Sequence, residues 1–510
     1  MKTKITVIVY LCLSIAFFFL SSCESNNEVK NPTIGNISIG AKNINNLEAM
    51  GAELDPHFFS QNLTRNDGSK ESDWQFVVDR VKAMKIKKFR IMAQPQWYEP
   101  INDNSDPHTT DLSKFTFESA EMKSLYKVLD LAQEQNMDVC IVVWGCPTSV
   151  RLLDPDYAHV KTCFMADPTK TGVWITGPTD YDEWAENYSV LIKHLVETKG
   201  YTCVNEITPM NEPDGGPLLD EVEYVKMAKV LDARFKKDGL RDKIRFNLSD
   251  NTDTRTFYLE ACAANLQNEA DIFNSHTYIF GYETPNKVIQ DWEKNNVAIA
   301  ASAGKKHLVG EFGSNQCVGA TRQTDIDLYE RGVLMTRLVL NFLNSGACGV
   351  SYWSLIDQYY GKDAGYQEMQ QLGLWKYLKE IYKPDPDVYN SIKEDYEVRP
   401  QYYSYTLLTR FLTPDSEIYP IDLGKDFAIG TAFKDTEGKW TYVFANGSKQ
   451  EERFMFINQG VNSSFDCYVY AEDALPVGDN LVESKEQVKA NKAGLAVTLK
   501  PQTVVLYRQK

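Results

Sequence analysis

The chain is short of positive charge: 54 Lys and Arg stand against 70 Asp and Glu, a formal net charge of −16. That balance argues against nucleic acid and anionic lipid surfaces as partners, because both require a basic face. A neutral ligand stays compatible. Cysteine is present but lacks pattern. The ten cysteines are scattered, with no CxxC pair, which speaks against a zinc site or a disulfide scaffold. Cys140 and Cys146 on one continuous strand would stand roughly 20 Å apart, beyond disulfide reach, so buried free thiols are expected. No Gly-rich phosphate loop follows the first apolar run, which weighs against an open dinucleotide-binding sheet. Internal repeats and low-complexity tracts are missing, and after the first twenty residues no run of about 18 apolar residues occurs. No cofactor and no metal are expected.

What is there begins with a targeting pattern. Lys2 and Lys4 precede the apolar stretch 5–20, and Leu20-Ser-Ser-Cys23 follows. The tetrapeptide resembles a bacterial lipobox, which implies a signal peptide over 1–22 and a lipidated Cys23. An ordinary cleaved signal or an uncleaved anchor helix is the competing reading. Residues 25–32 read as a polar tether, and the stretch Ile34 to Ile39 reads as a strand that joins the C-terminal domain. The expected location is the bacterial cell envelope: the outer membrane, on its periplasmic or outer face, with the lipid as sole membrane contact.

The remaining length, about 490 residues, suits one large barrel and a smaller partner. Eight short apolar runs alternate with amphipathic stretches: Met50 to Leu54, Lys88 to Met92, Asp138 to Trp144, Glu206 to Met210, Ile244 to Leu248, Ile272 to Tyr278, His307 to Glu311 and Gly349 to Trp353. Between them, Trp74, Val77, Val81 and Met84, then Leu125, Val128, Leu129 and Ala132, then Trp184, Tyr188, Leu191 and Leu195 recur at helical spacing. Near-continuous apolar strands flanked by helices predict a parallel sheet covered by helices, and eight units predict an α/β fold, a closed (β/α)₈ TIM barrel over 46–395. From 396 to 510 the texture turns to strands separated by turn residues, which predicts an antiparallel β-sandwich. Its strands are expected at Phe427 to Phe433, Lys439 to Asn446, Arg453 to Ile457, Phe465 to Ala471 and Leu495 to Tyr507.

Side chains at the C-terminal ends of barrel strands build the active site of such a fold. Glu212, in Ile207-Thr-Pro-Met-Asn-Glu-Pro-Asp-Gly-Gly216, ends the fourth strand. Glu311, in Leu308-Val-Gly-Glu-Phe-Gly313, ends the seventh, on the opposite side of the mouth. Two inward carboxylates flanking one bound bond are what glycoside hydrolysis requires.

On these residues the chain resembles a clan A retaining glycoside hydrolase. The resemblance implies that Glu212, following Asn211, is the general acid/base and Glu311 the nucleophile. Asn211 would then hydrogen-bond the sugar 2-hydroxyl. It further implies that Arg90 on strand two holds the nucleophile ionised and that Tyr278, two residues from His276 on strand six, faces the nucleophile. Trp353 ending strand eight would be a sugar platform. A structural ion pair for Arg90, a hydrogen-bonded core role for His276 and barrel-top packing for Trp353 compete with these readings. Within the clan the chain is similar to family 30 in its segment before the barrel, in Gly51-Ala-Glu-Leu-Asp55 and in Arg399-Pro-Gln-Tyr-Tyr-Ser-Tyr405. It departs in carrying Ala49-Met-Gly-Ala52 where that family usually has Gly-Phe-Gly.

Loops add candidates. Trp97, Tyr98, Trp144, Trp174, Tyr359 and Tyr360 are flat amphipathic surfaces suited to sugar faces, with ordinary loop packing as the alternative for each. Asn247 and Asp250, near the end of strand five, are expected to hydrogen-bond sugar hydroxyls. The functional expectation is a retaining β-glycoside hydrolase acting endo on a poly- or oligosaccharide by double displacement. The competing reading is a surface glycan-binding lipoprotein on a catalytically silent barrel.

Overall fold

The computed structural model describes residues 35–54, 56–59, 71–147, 175–252, 256–279, 281–314, 317–318, 322–358, 369–457 and 463–510. The expected signal segment, Cys23, Asp55, Trp174, Tyr359 and Tyr360 lie outside these.

Eight strands form a closed parallel barrel in chain order. They are Ala49–Glu53, Lys88–Ala93, Asp138–Val143, Val204–Thr208, Arg245–Asn251, Ile272–Ile279, Lys306–Ser314 and Gly349–Tyr352, called strands one to eight below. Strand eight pairs with strand one from Gly349 opposite Ala49 to Tyr352 opposite Ala52, closing the ring. Gly51 sits where a side chain would press on the Lys88 carbonyl oxygen at 3.1 Å, so the close approach of strands one and two selects glycine. The strands read as near-continuous apolar runs because one face lines the barrel core and the other meets helices.

Those helices bear the expected stripes. Trp74, Val77, Val81 and Met84 of Glu71–Met84 are buried, as are Leu125, Val128, Leu129 and Ala132 of Ala120–Glu134. Trp184, Tyr188 and Leu191 of Tyr181–Lys193 are buried likewise. Ser119, Asp180 and Asp220 cap the starts of three helices, each accepting from a backbone N–H of the first turn. Such caps satisfy donors with no intrahelical partner.

The C-terminal domain stacks two sheets. Six antiparallel strands run in the order Glu417–Ile421, Ala428–Lys434, Trp440–Asn446, Thr503–Gln509, Ser464–Tyr470, Ser484–Lys489. The second sheet holds Glu452–Ile457 between Leu495–Leu499 and the early strand Gly35–Ser38, which pairs in parallel from Gly35 opposite Phe454. Trp440–Asn446 is buried along its whole length for a period-two reason. Tyr442 and Phe444 enter the core between the sheets, while Val443 and Ala445 join the barrel's core cluster. The larger sheet therefore packs on the barrel helix Tyr329–Asn344 with one face and on its partner sheet with the other.

The fold departs from the sequence expectation in several places. Helix Pro400–Phe411 packs against Tyr329–Asn344 and Glu71–Met84 and completes the helical ring, so the boundary placed at 395/396 falls ahead of it. Gln401 through Thr409 are all buried, which erases the polar stripe that would have marked a helix. The single strand expected over Leu495 to Tyr507 is two, separated at 500–502, where Gln502 has φ 49°. Strands Glu417–Ile421 and Ser484–Lys489 were not expected; the second is an exposed polar edge, of the kind that protects sheets from further pairing. Cys140, Cys146, Cys203, Cys262, Cys348 and Cys467 are buried free thiols. Among the described residues no helix is long and apolar enough to cross a membrane.

Candidate active site

The inward faces of strands two, four, five and six carry polar side chains. Low in the barrel, Lys88 forms a buried ion pair with Glu206 at 2.6 Å, Asn247 donates to Glu206 at 3.0 Å, and Asn274 donates to Asn247 at 2.7 Å. Burial works against the Lys88 charge, but Glu206 more than offsets it and holds the ammonium above its ordinary pKa. Asn247, expected at the substrate, is instead a strut of this chain.

Two residues further along strand two, on the same face, Arg90 occupies the centre. Its Nη1 donates to Glu311 Oε1 at 2.6 Å, and its Nη2 donates to Asp250 Oδ2 at 2.6 Å and Asn211 Oδ1 at 2.7 Å. Tyr278 donates its hydroxyl to Glu311 Oε2 at 2.9 Å. His276 spans three carboxylates: Nδ1 is 2.9 Å from Glu212 Oε1 and 3.5 Å from Glu311 Oε2, and Nε2 is 3.1 Å from Asp250 Oδ1. Burial penalises the imidazolium, yet Glu311 and Asp250 outweigh that penalty and raise its pKa to about 10. Both ring nitrogens therefore carry protons at neutral pH and donate.

The backbone positions these groups by local irregularity. Strand seven shifts register between Val309 and Glu311, and a side chain at the intervening Gly310 would collide with the Asn274 amide oxygen. Strand five shifts between Ser249 and Asn251. There Ser249 and Asp250 have φ of 80° and 53°, and Glu212 has φ 40°. Left-handed non-glycine residues cost free energy and cluster at functional sites. A Glu212 N–H to Asp250 carbonyl bond of 3.1 Å and an Asn211 N–H to Val143 carbonyl bond of 3.0 Å tie the strand-four turn to strands five and three. Asp214 accepts from the Thr252 amide at 3.0 Å and its hydroxyl at 2.9 Å, which braces the same turn.

Glu311 and Glu212 differ in environment. Glu311 is 6 % exposed, and both its oxygens accept from Arg90 and Tyr278. Burial pushes its carboxyl up, His276 and Arg90 pull it down, and Glu212 and Asp250 push it up again, leaving it above its ordinary value. The Glu212 side chain is 30 % exposed, and its Oε1 alone has a hydrogen-bond donor among the described residues. An oxygen of each carboxylate lies within 4.8 Å of the other. Like charges at this distance repel, and His276 and Arg90 offset part of that repulsion at Glu311.

Glu212, His276 and Glu311 meet the spacing for a metal cluster. A doubly protonated imidazole offers no lone pair, however, and Arg90 already neutralises Glu311, so the trio does not suit a cation.

Trp353 and Trp144 stand together, ring centroids 5.6 Å apart and planes 31° apart, and the Arg90 guanidinium lies 6.0 Å from the Trp353 ring. Asn211 accepts from Arg90, and its amide nitrogen donates to none of the described residues. Trp97 is 1 % exposed and meets His57 edge-on at 5.0 Å; it offers no face to a ligand. Tyr98 is buried with its hydroxyl donating to Asn187 at 2.6 Å. Asp250 is fully buried with both oxygens engaged by Arg90 and His276, so it orients those two groups and cannot reach a sugar. Arg90 and His276 hold its carboxyl below the ordinary value against burial, the largest opposing effect. The brace formed by Asp250 was not foreseen in this role; its only sequence signal is an acid two residues beyond the apolar part of strand five.

No family model and no curated protein sequence matches the chain. Solved structures do. The catalytic domain of a family 30 xylanase C from Talaromyces cellulolyticus superposes with TM-score 0.61 over 93 % of this chain and 100 % of that one, at 13 % identity. An endo-β1,6-glucanase gives TM-score 0.58 over 93 % and 94 % at 14 % identity. A family 39 glycoside hydrolase from the gut symbiont Bacteroides cellulosilyticus gives 0.59 over 91 % and 81 %, also at 14 %. With these superpositions covering more than nine-tenths of its length, the chain has the fold of the family 30 and family 39 glycoside hydrolases.

Proposed function

We propose that this protein is a retaining β-glycoside hydrolase that cuts within a polysaccharide or oligosaccharide. The observation that carries the reading is the approach of Glu212 and Glu311 to within 4.8 Å across the barrel mouth. Retaining enzymes place their two carboxyl groups about 5–5.5 Å apart, whereas inverting enzymes leave about 6.5–9.5 Å for a water.

The residues divide the work as follows. Glu311, aligned by Arg90 and Tyr278, attacks the anomeric carbon. The glycosidic C–O bond breaks, and the Glu212 proton passes to the leaving oxygen. The ester to Glu311 then yields to a water whose proton Glu212 takes, restoring both groups. His276 fixes one Glu212 oxygen at 2.9 Å and leaves the other to carry the proton. Asn211, held by Arg90, has its amide free for a sugar hydroxyl, and Trp353 with Trp144 forms the apolar wall.

The substrates in the names of the structural neighbours, xylan and β1,6-glucan, favour a β-linked polymer. The lipobox-like Leu20-Ser-Ser-Cys23 supports a lipid-anchored protein of the bacterial envelope.

The test is turnover of β-linked polysaccharides and aryl glycosides by the purified chain and two variants. Glu311→Ala is expected to lose about 10⁴-fold or more in kcat. Glu212→Gln should lose about 10²–10⁴-fold on substrates with poor leaving groups and far less on activated aryl glycosides. Wild-type turnover by either variant, or tight glycan binding with no turnover by the parent, would defeat the proposal.

A further inference from the structure

A second group of carboxylates lies away from the barrel mouth. Asp103 belongs to the loop after strand two. Glu183 and Glu186 project from one face of helix Tyr181–Lys193, three residues apart. One oxygen from each of the three lies within 4.8 Å of the others, and all three residues are buried. Little cationic charge meets them. Arg234 comes to 3.7 Å from Glu186, but its Nε is committed to Asp238 at 2.6 Å. Burial first, then the charges of Glu186, Asp180 and Asp103, push the Glu183 carboxyl up to about 7.

One oxygen at this cluster points to a ligand. Glu186 is 2 % exposed, and its Oε2 has no hydrogen-bond partner; its Oε1 accepts from the Thr110 hydroxyl. The half-buried Asn102, next to Asp103 in the chain, turns its amide N–H group toward Glu183 and pulls that carboxyl down. Asp103 itself accepts from the Asn104 and Asp111 amides, each at 2.6 Å, so the loop holds its carboxylate in place.

We propose that Asp103, Glu183 and Glu186 bind a calcium ion. The donors are all carboxylate oxygens, which excludes the nitrogen- and sulfur-seeking metals. Calcium accepts six to eight oxygens in flexible geometry, whereas magnesium demands a near-ideal octahedron and keeps several waters. Carboxylates from a loop and a helix, able to bind through one or both oxygens, suit the larger ion. The ion would complete a seam that already exists. Asn187, from the same helix, donates to Glu99 at 2.8 Å and accepts from Tyr98 at 2.6 Å. Calcium would lock the loop after strand two onto the helix after strand three.

The test uses the purified chain, stripped with a chelator and titrated with calcium or magnesium by calorimetry and by thermal unfolding. One calcium per chain and a rise in Tm with calcium but not with equal magnesium are expected. Glu183→Gln and Glu186→Gln should each weaken calcium binding by about tenfold or more. Their metal-free forms should melt no lower than the metal-free parent, which separates a lost ligand from a lost fold. Absence of calcium binding, an equal response to magnesium, or unchanged affinity in the two glutamine variants would each overturn the site. Binding and Tm are read without any substrate, so this result stands apart from the test of glycoside hydrolysis.

Discussion

Two buried groups of carboxylates occupy this protein, and they are compensated in opposite ways. At the mouth, Glu212, Asp250 and Glu311 share Arg90 and a protonated His276. In the seam, among the described residues Arg234 is the one cation that pairs with the group Asp103, Glu183 and Glu186, and it reaches Glu186 at 3.7 Å. The first group resolves its charge with side chains that fix every oxygen except Glu212 Oε2. The second leaves a buried Glu186 oxygen without a donor. A carboxylate cluster closed by side chains becomes a rigid reagent, whereas one left open is suited to a mobile ion.

The contrast breaks most severely at Arg90. Arg90→Met strands Asp250 and Glu311 as unpaired buried charges, which should cost about 3–5 kcal/mol of folding stability, read by urea denaturation, and should abolish turnover. Next comes His276. Its folded pKa of about 10 lies above the value near 6.5 of the unfolded chain. Its contribution to stability is therefore fully present below about pH 6.5 and is lost as pH rises through about 10. A stability profile between pH 6 and 10 should show this decline, and His276→Gln should remove that part of it.

Glu183 gives a smaller effect in a lower window. Its carboxyl is raised from 4.5 to about 7, so the stability it contributes without calcium is complete below about pH 4.5 and fades as pH rises through 7. Unfolding scans of the chelator-treated protein should show that slope, and both calcium and Glu183→Gln should flatten it. Smallest is the distinction between two tryptophans. Trp353→Phe should raise KM, while Trp97→Phe, at a ring shut inside its loop, should lower Tm and leave KM unchanged.

Much of this was legible in the chain because burial writes itself as apolar runs. All eight barrel strands are where short apolar runs put them and the helical stripes where apolar residues recur at helical spacing, and the expected ends of strands four and seven pick out Glu212 and Glu311. Helix Pro400–Phe411 was not legible, since a segment buried on all sides has no amphipathic period. Direction was also hidden. Asp250 and Asn247 are polar residues at the end of strand five, as a sugar-binding pair would be. Yet a register shift and left-handed backbone turn one toward Arg90 and His276, and a ladder of amides absorbs the other. Trp97 failed for the same reason, because a sequence shows an aromatic and not which way it faces. The seam carboxylates are 80 residues apart in the chain, and only folding brings them together.

The most direct test of the central claim is the anomeric configuration of the sugar first released, followed by proton NMR at early times before mutarotation, on any β-linked glycan the enzyme accepts. A β-anomer as first product is what a close Glu212–Glu311 pair working through a glycosyl-enzyme predicts. An α-anomer would contradict it.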